Sequence, residues 1–285
     1  MIHGRSARDV FIADGLAPDF ATEAIGALDY IHRREGDIEI YFVCNSSDKP
    51  VEAACQFRVT GKAPELWDPI HGTIRQLTDW TSSKDQTHIP LYFDPFGAHF
   101  IVFRKPSSPP TAAPPSPNFP TWNVRQEIHG PWRVHFDPAL RGPGNVEFTK
   151  LVSWTTRPEK GIRFYSGTAV YRTTFEFKSE TRNSNSRFYL CLGDVHEIAE
   201  VRLNDKSLGT LWSIPFRADA TAALRDGQND LEIEVVNFWP NRVIGDASLP
   251  EAQRITRTNI RKLTAETPLT ESGLLGPVRL LSVAP

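Results

Sequence analysis

Residues 237–246, Asn237-Phe238-Trp239-Pro240-Asn241-Arg242-Val243-Ile244-Gly245-Asp246, place aromatic rings, amides, a guanidinium and a carboxylate on one short stretch. A carbohydrate presents apolar C–H faces and a rim of hydroxyls. A protein that holds one needs rings for the first and planar hydrogen-bonding groups for the second. Trp239, Asn241, Arg242 and Asp246 supply both kinds. Arg254, Arg257 and Asn259 follow on the same excursion, which runs over residues 239–275 before a final apolar strand. Unstructured connections longer than about 15 residues are uncommon inside a compact domain and often functional. A scaffold reading stands beside the binding one, with Trp239 capping the core and an Arg242–Asp246 ion pair pinning the loop.

A second group that could do chemistry is His32-Arg33-Arg34, at the entrance to a strand. Three basic or titratable side chains there suit a carboxylate of a partner domain or an acidic sugar. The competing reading is a solvated turn paired with Glu35, Asp37 or Glu39, contacts worth little at a surface. Trp67 with Asp68-Pro69 reads as a packed turn or, secondarily, a ligand contact. Glycoside hydrolysis needs two carboxyl groups about 5 to 9.5 Å apart. Asp194, Glu197, Glu200, Glu251, Glu266 and Glu271 are available, with nothing in their spacing to pair any two. G-x-S-x-G, H-E-x-x-H, Gly-rich phosphate loops and EF-hand spacing are all absent. The reading therefore assigns no cofactor and no metal ligand; a structural calcium held by backbone carbonyls would leave no motif. Asn45-Ser46-Ser47 is formally a glycosylation sequon.

The elements that must position these groups are strands. Residues 187–236 alternate apolar and polar: Phe188, Leu190 and Leu192; Val201 and Leu203; Leu231, Ile233 and Val235. Asn204-Asp205-Lys206 and Asp226-Gly227-Gln228-Asn229 connect them with residues that tolerate positive φ. Residues 132–136 and 168–177 alternate in the same way. Upstream, residues 38–44 and 51–59 alternate around the turn Asn45–Pro50 and are expected to form a hairpin. Further strands are expected at 72–78, 87–93 and 99–104, and a helix over residues 6–14 capped by Ser6. Cys44 and Cys55, on the apolar phases of neighbouring strands, are expected to face each other without bonding. Seven of the 23 prolines fall between Lys105 and Pro120. Such a tract stays extended, because it can neither donate ladder bonds nor bury apolar area, so residues 106–120 are expected to be a linker between two sandwiches.

At 285 residues the chain accommodates two domains of ordinary size. A charge of −2 gives no global bias toward nucleic acid or an anionic membrane, and no apolar run approaches the ~20 residues of a membrane span. Three cysteines without a C-x-x-C pair make neither a closed disulfide framework nor a zinc or redox motif.

GDVHEIAEVRLNDKSLGTLW (193–212), PFRADATAALRDGQNDLEIEVVN (215–237) and SGLLGPVRLLSV (272–283) resemble the sugar-binding jelly-roll domain of family 2 glycoside hydrolases. The continuation NFWPNRVIGDASLPEAQRITRTNI, with YIHRREGDIEIYFVCN and ELWDPIHG upstream, is similar to the C-terminal part of family 106 α-L-rhamnosidase-like enzymes. The resemblance implies an all-β chain with two β-sandwich domains joined by the proline-rich linker, the second a galactose-binding-like jelly roll. Residues 1–24 are then a remnant of a preceding α/β domain, residues 25–105 the first sandwich and 121–285 the jelly roll. It implies a non-catalytic accessory region, contacting carbohydrate, rhamnose-containing glycans included, or completing a pocket built by an upstream catalytic barrel. Alternatives are a self-contained hydrolase using carboxylates of the 239–275 excursion, and a module whose exposed aromatics dock on another protein. No apolar signal-peptide core opens the chain; full-length relatives are expected to be periplasmic or secreted.

Overall fold

The computed structural model describes residues 4–107, 116–178, 186–259 and 262–283. The chain divides into two compact units, Met1–Pro120 and Thr121–Pro285. The proline tract at 108–115 lies outside the described residues. Among the described residues no helix is long and apolar enough to cross a membrane.

The first unit opens with α1 (Ala7–Ala13), capped by Ser6, whose hydroxyl accepts from the Asp9 N–H while the Asp9 carboxylate accepts from the Ser6 N–H. This reciprocal pairing satisfies two donors that a helix start otherwise leaves unpaired. Nine strands follow: β1 (Phe20–Thr22), β2 (Leu28–Glu35), β3 (Ile38–Asn45), β4 (Val51–Phe57), β5 (Lys62–Asp68), β6 (Thr73–Gln76), β7 (Thr81–Ser82), β8 (Thr87–Phe93) and β9 (Ala98–Pro106). They form a four-stranded sheet in the order β1-β4-β8-β7 and a five-stranded sheet in the order β2-β3-β9-β5-β6. Alternate residues of both meet in one core: Tyr41, Val43, Ile101 and Phe103 from one sheet, Ala53, Cys55, Phe57, Ile89, Leu91 and Phe93 from the other.

Four expectations are corrected here. β3 and β4 alternate as expected but do not pair. They belong to different sheets, and the 46–50 connection carries the chain across the sandwich. Cys44 consequently lies on the outer phase of β3 while Cys55 faces the core, so the two do not face each other. Residues 18–24 are part of this sandwich rather than a remnant of another domain, because β1 pairs with β4 in register Phe20↔Phe57 and Phe20 enters the core. At the other end, Asn118 is buried rather than extended in a linker. Its Oδ1 accepts from the N–H groups of Thr78 and Asp79 at 3.1 and 3.0 Å, and its Nδ2 donates to the carbonyls of Asp79 and Pro90. The Asn45 side chain is likewise buried, donating to the Lys49 and Asp94 carbonyls, so the sequon's amide is committed to the fold.

The second unit contains β10 (Trp122–Glu127), β11 (Trp132–Phe136), β12 (Gly144–Phe148), α2 (Lys160–Arg163), β13 (Thr168–Phe177), β14 (Arg187–Cys191), β15 (Asp194–His196), β16 (Ile198–Leu203), β17 (Lys206–Leu211), β18 (Arg217–Asp219), β19 (Gly227–Val236), α3 (Pro240–Ala247), β20 (Gly273–Gly276) and β21 (Arg279–Val283). A six-stranded sheet, β12-β11-β13-β19-β16-β17, faces a four-stranded one, β10-β21-β14-β18, with β15 and β20 forming a separate pair. Val134, Tyr171, Val201 and Ile233 on one side and Phe188, Leu190 and Leu280 on the other fill a continuous core. β16 and β17 form a hairpin whose Asn204 and Asp205 both take positive φ, the requirement of a type I′ turn. The chain is all-β in class, each unit a β-sandwich of antiparallel sheets.

One buried carboxylate of the first unit sets an acid limit. Glu65 is 1% exposed. Burial by itself raises its pKa, but hydrogen bonds from Lys105, Trp67 and Arg104 outweigh it and hold the group at about 2. A carboxyl whose folded pKa lies below its unfolded value stabilises the fold above the unfolded pKa, and this is lost as pH falls toward the folded one. Chemical denaturation from pH 6 to 2 is expected to show wild-type stability declining below about pH 4.5, with a shallower decline in Glu65→Gln. Asn118→Ala strands two backbone N–H groups and is expected to lower stability by about 2–4 kcal/mol at pH 7, read in the same titration.

Candidate functional site

The 239–275 excursion is not structureless. Trp239 precedes α3, and Pro240 occupies its first turn, where a missing N–H costs nothing. Burial then separates the expected site residues. Asn241, Arg242 and Asp246 are buried; Trp239 is 46% exposed and its neighbour Phe238 57%.

Asn241 is a frame for the excursion. Its Nδ2 donates to the Thr270 carbonyl at 2.6 Å and to Ser272 Oγ at 3.0 Å, while its Oδ1 accepts from the Thr270 N–H at 2.9 Å. Asn237 makes the matching clamp: Nδ2 donates to the Tyr165 carbonyl and to Ser272 Oγ, and Oδ1 accepts from the Gly167 N–H. Ser272 Oγ thus accepts from both amides and donates to the Thr270 carbonyl. Asp246 pins the far side of the loop, its Oδ2 accepting from the Ile255 and Thr256 N–H groups at 2.9 Å and from the Thr256 hydroxyl at 2.8 Å. Arg242, one helical turn earlier, sets Nε 3.6 Å from Asp246 Oδ1. Burial pushes the Arg242 guanidinium below its ordinary range; Asp246 raises it again, and Arg141 adds to the lowering. Asn241 is therefore committed to the fold, while Arg242 and Asp246 are buried side by side with Arg242 Nε and Asp246 Oδ1 making no hydrogen bond. Their polar letters describe a buried scaffold. Arg254, Arg257 and Asn259 are exposed, Arg254 donating through Nε to the Leu249 carbonyl.

The structure assembles a second group at the same end of this unit. β15 and β20 pair antiparallel, His196 opposite Gly273. The Glu197 N–H donates to the carbonyl of Val236, the last residue before the Asn237-Phe238-Trp239 run. Asp194 and His196, two apart on a strand, project to one side, and Glu271 joins them from the residues before β20. His196 Nε2 lies 3.4 Å from Asp194 Oδ1 and 3.8 Å from Glu271 Oε2, and Nδ1 is 3.8 Å from Glu197 Oε1. Beneath them Gly273, at φ +102°, lies flat on the Trp154 indole, where a Cβ would come within 2.3 Å of Nε1. Sequence spacing did not reveal this group, because Glu271 is remote in the chain. The Asp194-x-His196 alternation was its one visible signal. Glu251 and Glu266 stay exposed, while Glu200 pairs with Arg202.

In the His32-Arg33-Arg34 group of the first unit, His32 and Arg34 are engaged in ion pairs within the unit. The His32 ring stacks on Tyr41 with centroids 3.9 Å apart, and its two nitrogens face Asp19 at 3.0 Å and Glu39 at 2.8 Å. Arg34 pairs with Glu39, and Arg33 is exposed. Asp19 also meets Arg58, at the edge of a cleft of about 490 Å³ lined by Phe11, Ile12, Leu16, Phe20 and Tyr30. Asp68 accepts from the Ile70 and His71 backbone and from the His71 ring, which makes the Trp67–Pro69 segment a packed turn.

Comparison with known proteins agrees with this architecture. Residues 1–81 match the family model described as alpha-L-rhamnosidase, and residues 155–266 match the glycosyl hydrolase 2 galactose-binding domain-like model. The rhamnosidase from Novosphingobium sp. PP1Y superimposes on 96% of this chain with a TM-score of 0.85 and 34% identity. The likeness to that rhamnosidase takes in both units, and the galactose-binding-like match falls within the second. The chain spans 26% of that rhamnosidase's length. A Formosa agariphila protein named as a beta-glucuronidase is 38% identical over 176 residues, which are 54% of this chain and 15% of that protein.

The scaffold roles separate cleanly by mutation. Asp246→Ala leaves the Arg242 charge buried and two N–H groups without their acceptor, and is expected to cost about 3–5 kcal/mol. Trp239→Ala, on the exposed side of the same helix start, is expected to change stability by less than about 0.5 kcal/mol. Urea denaturation of both variants checks the pair.

Proposed function

We propose that this chain is a non-catalytic, carbohydrate-contacting region of an α-L-rhamnosidase-like glycoside hydrolase, with its contact surface on the second unit. The observation that carries the reading is the exposure of Phe238 and Trp239 on a backbone fixed by Asn237 and Asn241. Aromatic rings held still against solvent give a sugar's C–H face a partner without an ordering cost at the moment of binding. The exposed Arg254, Arg257 and Asn259 follow on the same excursion and supply hydrogen-bonding groups for hydroxyls. Arg242 and Asp246 take no part in contact.

The non-catalytic half of the reading rests on where the carboxylates lie. Asp194 and Glu271 approach one another, but their side chains are 58% and 65% exposed and both face one imidazole. A glycosidase needs its two carboxyl groups on opposite sides of a bound glycosidic link, one of them shielded so that it keeps its proton. The likeness to the Novosphingobium rhamnosidase over a quarter of that protein's length supports a piece that works beside a catalytic barrel.

A glycan array probed with the intact chain, wild type and Trp239→Ala, tests the reading. The expected outcome is binding to rhamnose- or galactose-type glycans that weakens at least tenfold in the variant, a difference of about 1.4 kcal/mol. Equal binding by both proteins would place the surface elsewhere. No release of aryl alcohol from an aryl α-L-rhamnoside is expected; turnover abolished by Glu271→Gln would make the chain a hydrolase in its own right.

A further inference from the structure

We propose that Asp194, His196 and Glu271 form a binding site for a divalent transition ion of borderline softness, Zn2+ or Mn2+, at the rim of the second unit. The donor set is one imidazole nitrogen and two carboxylate oxygens, all lying within 4.8 Å of one another. Zinc and manganese take such mixed nitrogen and oxygen sets, whereas calcium prefers six to eight oxygens.

The spacing is one argument. His32 closes to 2.8 Å on Glu39 and 3.0 Å on Asp19 and His71 to 2.8 Å on Asp68, whereas the more exposed His129 stays 3.7 Å from Glu127. At His196 the same atom types stand 3.4 and 3.8 Å apart. At that length Nε2 makes no hydrogen bond. It is the length expected between neighbouring ligands of one ion, since two atoms each about 2.1 Å from a metal and at a tetrahedral angle are separated by ~3.4 Å. The imidazole atom at the centre of the group is also committed to nothing else. Nε2 is closed to solvent and makes no hydrogen bond, although the His196 side chain as a whole is 25% exposed.

Charge and rigidity act in the same direction. Among the described residues no lysine or arginine pairs with Asp194, Glu197 or Glu271, so three acidic side chains surround one imidazole with no fixed cation to balance them. The β15–β20 pairing holds Asp194 and His196, and Glu271 is one residue from Ser272, whose N–H and carbonyl are tied to Ser153 and Trp154. Ligands on a fixed backbone lose little freedom when an ion arrives. The exposed sides of Asp194 and Glu271 leave coordination positions for water. None of this depends on the sugar-contact reading.

Isothermal titration of the chelator-stripped intact chain with ZnCl2 and with MnCl2, without sugar, tests the site, with bound metal counted after desalting. One equivalent of one of these ions per chain is expected, together with a rise in thermal midpoint at saturating metal. His196→Ala is expected to weaken binding at least tenfold. Glu271→Gln, a substitution on a largely exposed side chain that keeps the fold, is expected to do the same, and circular dichroism confirms that both variants are folded. Less than a fifth of an equivalent bound, or one equivalent bound equally well by both variants, would overturn the proposal. The first outcome would leave His196 in a plain ion pair, and the second would put the metal on another surface histidine.

Discussion

The hydroxyl of Ser272 holds the second unit's long excursion to its sandwich. It lies between two buried amides, accepting from Asn237 and Asn241 and donating to the Thr270 carbonyl. Each of the three side chains is satisfied by the others or by backbone. This matters because a buried polar group left without a partner costs about 1–3 kcal/mol, more than a satisfied bond contributes net. The network joins the two ends of the excursion, residues 237–241 and 270–272, and fastens both to Tyr165, Gly167 and Ser153 of the sandwich. Just beyond it Tyr171, in the middle of the six-stranded sheet, accepts from the Trp154 indole at 2.5 Å and from the Leu274 N–H at 3.2 Å. Burial pushes that phenol up to about 12, so it is a neutral partner at neutral pH. Whatever the rim contacts, its geometry is set by these buried polar groups and not by the exposed residues themselves.

The strands were legible because alternation reports which face of a sheet a residue occupies. β4, β8, β13 and β19 could be read directly, as could the Ser6 cap and the Asn204-Asp205 turn. Alternation does not report which strand lies alongside. β3 and β4 show the cost: both carry the expected phase, and a connection long enough to turn a hairpin is also long enough to cross a sandwich about 10 Å thick. Tyr41 and Phe57 meet edge-on across the core with ring centroids 5.0 Å apart, a contact between sheets that a hairpin could not make. Asn118 failed to read as part of a domain for a related reason. Proline-dense composition describes the chain before it, and nothing local announces that one asparagine will close four backbone hydrogen bonds.

The site was half legible. Residue types in 237–246 indicated a polar and aromatic loop where the chain forms α3 from Pro240, and type alone cannot tell a group that meets solvent from one that meets backbone. Asn241, Arg242 and Asp246 went inward because α3 packs closely on the sandwich; at Gly245 an added Cβ would come within 2.7 Å of the Phe164 ring. A helix at that distance turns a polar face into a buried one, and the polar residues there must find partners within the protein. Phe238 and Trp239 precede the helix and escape it. The Asp194–His196–Glu271 group was invisible for a topological reason: its members meet only after β20 returns to pair with β15.

Rigid surroundings and an accessory role are physically consistent. A loop that closes over substrate needs low local stability and few buried contacts. The described part of this excursion is the opposite, with a helix whose six residues from Asn241 to Asp246 are buried and an acidic side chain that accepts from three separate donors. Energy stored in that way cannot be released and recovered in each catalytic cycle without breaking a buried ion pair. It can hold a surface at a fixed angle to whatever it adjoins. Buried polar groups invested in holding one rim still therefore suit a surface that makes contacts without moving, as the accessory reading proposed above requires.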